Sequence, residues 1–144
     1  MDWTKGTATR VARVALAGWL LAGCAADVED HIAALERGGE GEEEAKMALS
    51  LARQDAIDPL LAAFADREKP SRARSSMADA LARLYIREKD RRILDALTAA
   101  LDDGQAEVRR TSVRILGDLE GTQGIAPLVA RLGPEPEDEV RQEI

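Results

Sequence analysis

Leu94-Asp95-Ala96-Leu97-Thr98-Ala99-Ala100-Leu101 carries apolar residues at its first, fourth and eighth places. That spacing gathers the three onto one face of a helix. The same pattern stands in Ile57-Asp58-Pro59-Leu60-Leu61-Ala62-Ala63-Phe64 and in Ile125-Ala126-Pro127-Leu128-Val129-Ala130-Arg131-Leu132, at offsets of 37 and 31 residues. A second element follows each time. Arg74 to Leu81 matches Arg109 to Leu116, and Val140-Arg141 restarts the pattern begun by Val108-Arg109. Short polar turns, Gly104-Gln105-Ala106-Glu107 and Gly121-Thr122-Gln123-Gly124, separate the elements. Each unit therefore reads helix, turn, helix, turn. Self-similarity at this period marks a chain built by stacking one supersecondary unit.

Composition agrees with helices and excludes several other classes. The chain has 144 residues, 27 acids, 20 bases and a formal net charge of −7. Alanine and leucine dominate, while Trp3, Trp19, Phe64 and Tyr85 are the aromatic residues. Such a mixture favours helix over sheet. One cysteine, Cys24, cannot build an internal disulfide framework. A net negative chain lacks the electrostatic footprint of a nucleic-acid binder, so no nucleic-acid partner is expected.

The segment from Leu101-Asp102-Asp103 through Val108-Arg109-Arg110 to Ile115-Leu116-Gly117-Asp118-Leu119 resembles HEAT repeats, in particular the short bacterial kind related to bilin-lyase subunits. The resemblance implies an all-α, right-handed α-solenoid of about four repeats over residues 27–144. We divide them as 27–54, 55–87, 88–120 and 121–144. Pro59 and Pro127 are placed in the first turns of their helices, and Gly121 just past a helix end. Arg67-Glu68-Lys69-Pro70-Ser71 lengthens one turn, Ala73 replaces the usual valine, and Thr111-Ser112 departs from the small residues of the pattern. The last repeat reads as incomplete, as in a truncated product. In the family, an arginine and the preceding aspartate tie adjacent repeats together. By resemblance, Asp66 with Arg74 and Asp103 with Arg109 are structural pairs.

The N-terminus reads differently. Lys5, Arg10 and Arg13 precede an uncharged apolar run from Val14 to Gly23. Ten residues make about 15 Å of helix, half of a ~30 Å hydrocarbon core, which suits a signal-peptide core better than a span. A small amphipathic helix is disfavoured because Ala15 to Ala22 is apolar all round. Leu21-Ala22-Gly23-Cys24 resembles the bacterial lipoprotein lipobox. That resemblance implies a signal peptide at 1–23, cleavage between Gly23 and Cys24, lipid on Cys24 and a tether at 24–26. Stable anchoring follows from more than one acyl chain. Ala25 and Ala26 stand where an aspartate would retain such a protein at the inner membrane, which implies the outer membrane, facing the periplasm.

Groups for chemistry are few. His31 is the only histidine, and no nucleophile–base set forms around it. Asp27, Glu29, Asp30 and His31 lack the spacing of a metal site and suit a helix start. Glu42-Glu43-Glu44 likewise serves a helix N-terminus. We therefore expect no catalytic residue, cofactor or metal, and a membrane-anchored scaffold binding an envelope protein. A bilin-lyase-like enzyme or enzyme subunit is the alternative. A partner face is expected along the second helices at Glu42 and Lys46, then Ser75 and Asp79, then Arg110 and Arg114, running from mixed or acidic to basic.

Overall fold

The first two apolar stripes meet in one core. Ile57, Leu60 and Phe64 are buried, as are Ile93, Leu97 and Leu101. The second of these stripes starts at Ile93 rather than Leu94, which is half-buried. The computed structural model describes residues 27–119, 128–130 and 133–144. Among these residues there is no strand. Helix α1 covers residues 27–37, α2 Glu42–Ala52, α3 Gln54–Ala65, α4 Ser71–Glu88, and α5 Arg91–Ala99 with a 3-10 turn at Ala100–Asp102. Helix α6 is Ala106–Asp118, α7 is described at residues 128–130, and α8 is Asp138–Glu143. Gly121, Pro127 and the leader with Gly23 and Cys24 lie outside the described residues. Among the described residues, no helix is long and apolar enough to cross a membrane.

The helices form an all-α solenoid. Second helices pack side by side in the order α2, α4, α6, α8, and α3 adjoins α5 in the first-helix row. Helix α4 touches α2, α3, α5 and α6. A helix flanked on so many sides needs small residues for close approach, and α4 supplies Ala73, Ala78 and Ala80 around Met77, Leu81 and Leu84.

Local chemistry sets the joints. Gly38, at φ +65°, ends α1 with its N–H donating to the Ala34 carbonyl at 3.0 Å, a left-handed stop that glycine adopts cheaply. Asp90 caps α5 by accepting from the Arg92 N–H at 2.9 Å. Arg53 alone joins α2 to α3, at φ 56° and ψ −128°. That conformation costs a non-glycine residue on the order of 1–3 kcal/mol. Its Nε donates to Glu88 Oε1 at 2.7 Å, and this carboxylate side chain is only 6% exposed.

Pro59 corrects an expectation. Helix α3 begins at Gln54, so Pro59 lies inside it rather than in the first turn. The missing N–H would have bonded the Asp55 carbonyl. Both residues are exposed, so solvent takes the donor's place.

Leu81→Ala is expected to destabilise the chain by about 2–5 kcal/mol, because Leu81 is fully buried at the centre of the array. Urea unfolding measures this, and Met47→Ala on the exposed edge of α2 should change stability by no more than about 0.5 kcal/mol.

Candidate functional site

The joints between repeats are built from one recurring position. Arg74, Arg109 and Arg141 are each the fourth residue of α4, α6 and α8. Arg74 donates from both terminal nitrogens to Asp103, at 3.1 and 2.6 Å, and from Nε to the Phe64 carbonyl at 2.9 Å. Its guanidinium also lies 5.7 Å from the Phe64 ring centroid. Arg109 repeats the arrangement one unit on. It forks onto Glu135 at 2.8 and 2.9 Å and donates to the Asp103 carbonyl at 2.9 Å. The side chains of Arg74, Asp103, Arg109 and Glu135 are all almost completely buried.

The expected pairings are thereby corrected. Arg74 meets Asp103 of the following repeat, not Asp66 of its own turn. Arg109 meets Glu135, and it touches Asp103 through the carbonyl rather than the carboxylate. The turn acid points back toward the preceding repeat because its carboxylate is fixed by the turn itself. Asp66, Asp103 and Glu135 each accept the N–H two residues on, from Glu68, Gln105 and Glu137, all at 3.0 Å. Asp66 has no such arginine, since the fourth residue of α2 is Ala45. It stays exposed and lies 3.7 Å from Lys69. Glu135 was not singled out from sequence, although it precedes Arg141 by six residues just as Asp103 precedes Arg109.

Burial alone would raise the Asp103 pKa. Hydrogen bonds from Arg74 and the Gln105 N–H, with the charges of Arg74 and Arg67, outweigh it and hold the carboxyl below its usual value. Arg109 is held above its usual value, chiefly by its bonds to Glu135.

The second-helix face is a ladder of ion pairs. Lys46 is buried and meets Glu42 at 3.1 Å, Glu43 at 2.9 Å and Asp79 at 3.7 Å. Burial lowers its pKa, but bonds to Glu43 and Glu42 and the charges of Glu42 and Asp79 leave it raised. Glu42 accepts from the Ser76 hydroxyl at 2.5 Å and from Arg72 at 2.9 Å. Arg114 meets Asp79 at 2.6 Å, and Arg110 meets Glu139. Ser75 is half-buried, and its hydroxyl has no hydrogen-bond partner. The expected passage from acidic to basic is therefore not a run of open charge, because Arg110 and Arg114 are each answered by a carboxylate.

Among the described residues, no group of three or more His, Cys, Asp or Glu side chains is placed to hold a metal ion. Asp27, Glu29 and Asp30 are exposed on α1 and His31 is half-buried. The sequence matches the family of HEAT repeats over residues 57–144, more than half of the chain. This chain belongs to the HEAT-repeat family. No curated protein and no solved structure matches it. The matched residues contain both arginine ties, Arg74 to Asp103 and Arg109 to Glu135.

Asp103→Leu should cost about 3–5 kcal/mol by leaving the Arg74 guanidinium buried without its carboxylate, while adding Arg74→Met should restore most of the loss. A double-mutant cycle from urea unfolding checks this. The folded pKa of Asp103 lies below its unfolded value of about 3.9. Its contribution is thus present above that value and is lost as pH falls through the folded pKa. Asp103→Asn should flatten the acid limb of the stability curve, measured by chemical unfolding between about pH 2 and 5.

Proposed function

We propose that this HEAT-repeat chain is a protein-interaction scaffold, tethered to a bacterial membrane through lipid on Cys24. One observation carries the scaffold reading. The buried charges Arg74, Asp103, Arg109 and Glu135 are committed to one another across the repeat joints, so the array's outward offering is helix edges and shallow grooves. HEAT repeats commonly serve as protein-interaction scaffolds. Between α4 and α6, a groove of about 370 Å³ is lined by Ala82, Ile86, Ile115 and Leu119 together with Arg83, Asp118 and the Asp79–Arg114 pair. A lining of mixed apolar and charged residues suits protein side chains.

We take the protein not to be an enzyme. A bilin-lyase-like role would call for open aromatic faces to stack a planar tetrapyrrole. Among the described residues the aromatic side chains are Phe64, buried beneath Arg74, and Tyr85, beneath Lys89 at 5.2 Å. The tether rests on the sequence: a basic start, a short apolar core, and Leu21-Ala22-Gly23 before Cys24. Ala25 and Ala26 support the outer membrane, facing the periplasm.

Cys24→Ala tests the tether. Wild-type chain should fractionate with membranes, incorporate labelled palmitate and begin at Cys24, and the variant should lose the label and the cleavage. Unlabelled, full-length wild-type protein would overturn it. Crosslinkers placed along the second-helix face should trap a partner in native envelopes if the scaffold reading is right.

A further inference from the structure

Helix α2 stands at the end of the second-helix row. Ala45, Lys46, Leu49 and Ser50 are buried on one side of it. Its other side carries Glu44, Met47 and Leu51, spaced three and four residues apart. Met47 is 54% exposed and Leu51 is 62% exposed. Ile86 and Val129 are also exposed, but only Met47 and Leu51, among the described residues, share a helix.

The register of the repeats says what kind of surface this is. Counted from the fourth residue of each second helix, Met47 and Leu51 occupy the positions of Ser76 and Ala80 in α4. Those two are buried, and Ser76 is covered by Glu42 of α2 itself. In α6 the position of Leu51 is held by buried Ile115. Inside the array, then, this is the side that receives a preceding helix.

Charge says what kind of helix. Residues 27–66 hold eleven acids and three bases, whereas residues 67–144 hold fifteen and fourteen. The first stretch is therefore the more acidic in sequence, although its Glu36, Glu42, Glu43 and Asp58 are paired with bases of the second and residues 133–144 are acidic as well. Glu44 stands one turn before Met47 on α2 and Glu40 lies in the turn ahead of the helix; neither has a basic partner among the described residues, and Asp55 borders the hollow that Leu51 lines, beside Arg53, which is paired with Glu88. We propose that this edge of α2 docks a basic amphipathic helix of a partner protein, apolar residues on Met47 and Leu51 and lysines or arginines toward Glu40, Glu44 and Asp55. A second copy stacked end to end is disfavoured, because residues 133–144 carry five acids and one base and would repel the acidic end. An anionic lipid surface is repelled by the same carboxylates. The proposal rests on the scaffold reading and gives its partner a chemistry.

The test uses chain extracted from membranes in detergent and a fluorescein-labelled helical peptide of about 18 residues, five turns, with leucine on one face and lysine beside it. Fluorescence anisotropy should show saturable binding that weakens as salt is raised. Met47→Ser/Leu51→Ser should weaken it at least about tenfold, through lost apolar burial. Glu40→Gln/Glu44→Gln should weaken it about threefold or more. Val129→Ser should leave it unchanged, and a peptide with glutamate for lysine should not bind. The proposal fails if wild-type chain does not bind the basic peptide, if the Met47/Leu51 variant binds as well as wild type, or if the acidic peptide binds equally. It also fails if a crosslinker at position 47 captures a second copy or the chain's own residues 1–22. A crosslinker at position 86 separates this from the broader reading. If position 86 traps a protein in envelopes while the peptide ignores position 47, the scaffold stands and this docking edge falls. If neither position traps one, both fall.

Discussion

The forward reach of one arginine organises the array. Taking a guanidinium and a carboxylate out of water is costly, and the attraction between them repays it only with good geometry and additional hydrogen bonds. Arg74 meets that condition with two bonds to Asp103, one to the Phe64 carbonyl and a ring beneath it. Arg109 meets it with Glu135 and the Asp103 carbonyl. Slippage of one repeat against the next would strand both charges. The pair therefore specifies register, while the apolar stripes supply the bulk of the stability.

The rest of the packing follows from that register. With α4 fixed against α6, the long side chains of the second-helix row interleave: Lys46 enters between α2 and α4, and Arg114 bridges α4 and α6. Carboxylates on one helix meet cations on the next, so the face is close to neutral where the repeats touch. Arrays of this kind draw their stability from each repeat and its nearest neighbours. The first repeat has Ala45 where the others have arginine. It is joined to the second repeat through surface and half-buried pairs, such as Glu42–Arg72 and Glu43–Arg83.

The helix–turn–helix order was legible because burial of one stripe imposes a period that survives sequence change, as at Ile57, Leu60 and Phe64. The arginines were legible because they recur at a fixed place before an apolar run. Their partners were not. The family resemblance pointed to Asp66 and Asp103 as partners for Arg74 and Arg109, whereas stacking brings the carboxylate of the next repeat's turn onto each arginine. Pro59 misled for a related reason. Proline marks a first turn on average, but an exposed helix side tolerates it further in. The charged face misled because a list of residues on one helix cannot reveal which carboxylates the neighbouring helix brings. Lys46 reads as a surface cation in sequence and is buried among three acids in the structure.

The forward direction of the arginine tie gives the chain a polarity in time. A polypeptide emerges with its N-terminus first. Arg74 then waits for an acid 29 residues further on, and Arg109 for one 26 residues further on. Each repeat is completed by the one made after it, so consolidation trails synthesis by about one unit. Until that next turn arrives, the newest arginine remains hydrated, and the growing end stays pliable while the older repeats are already locked.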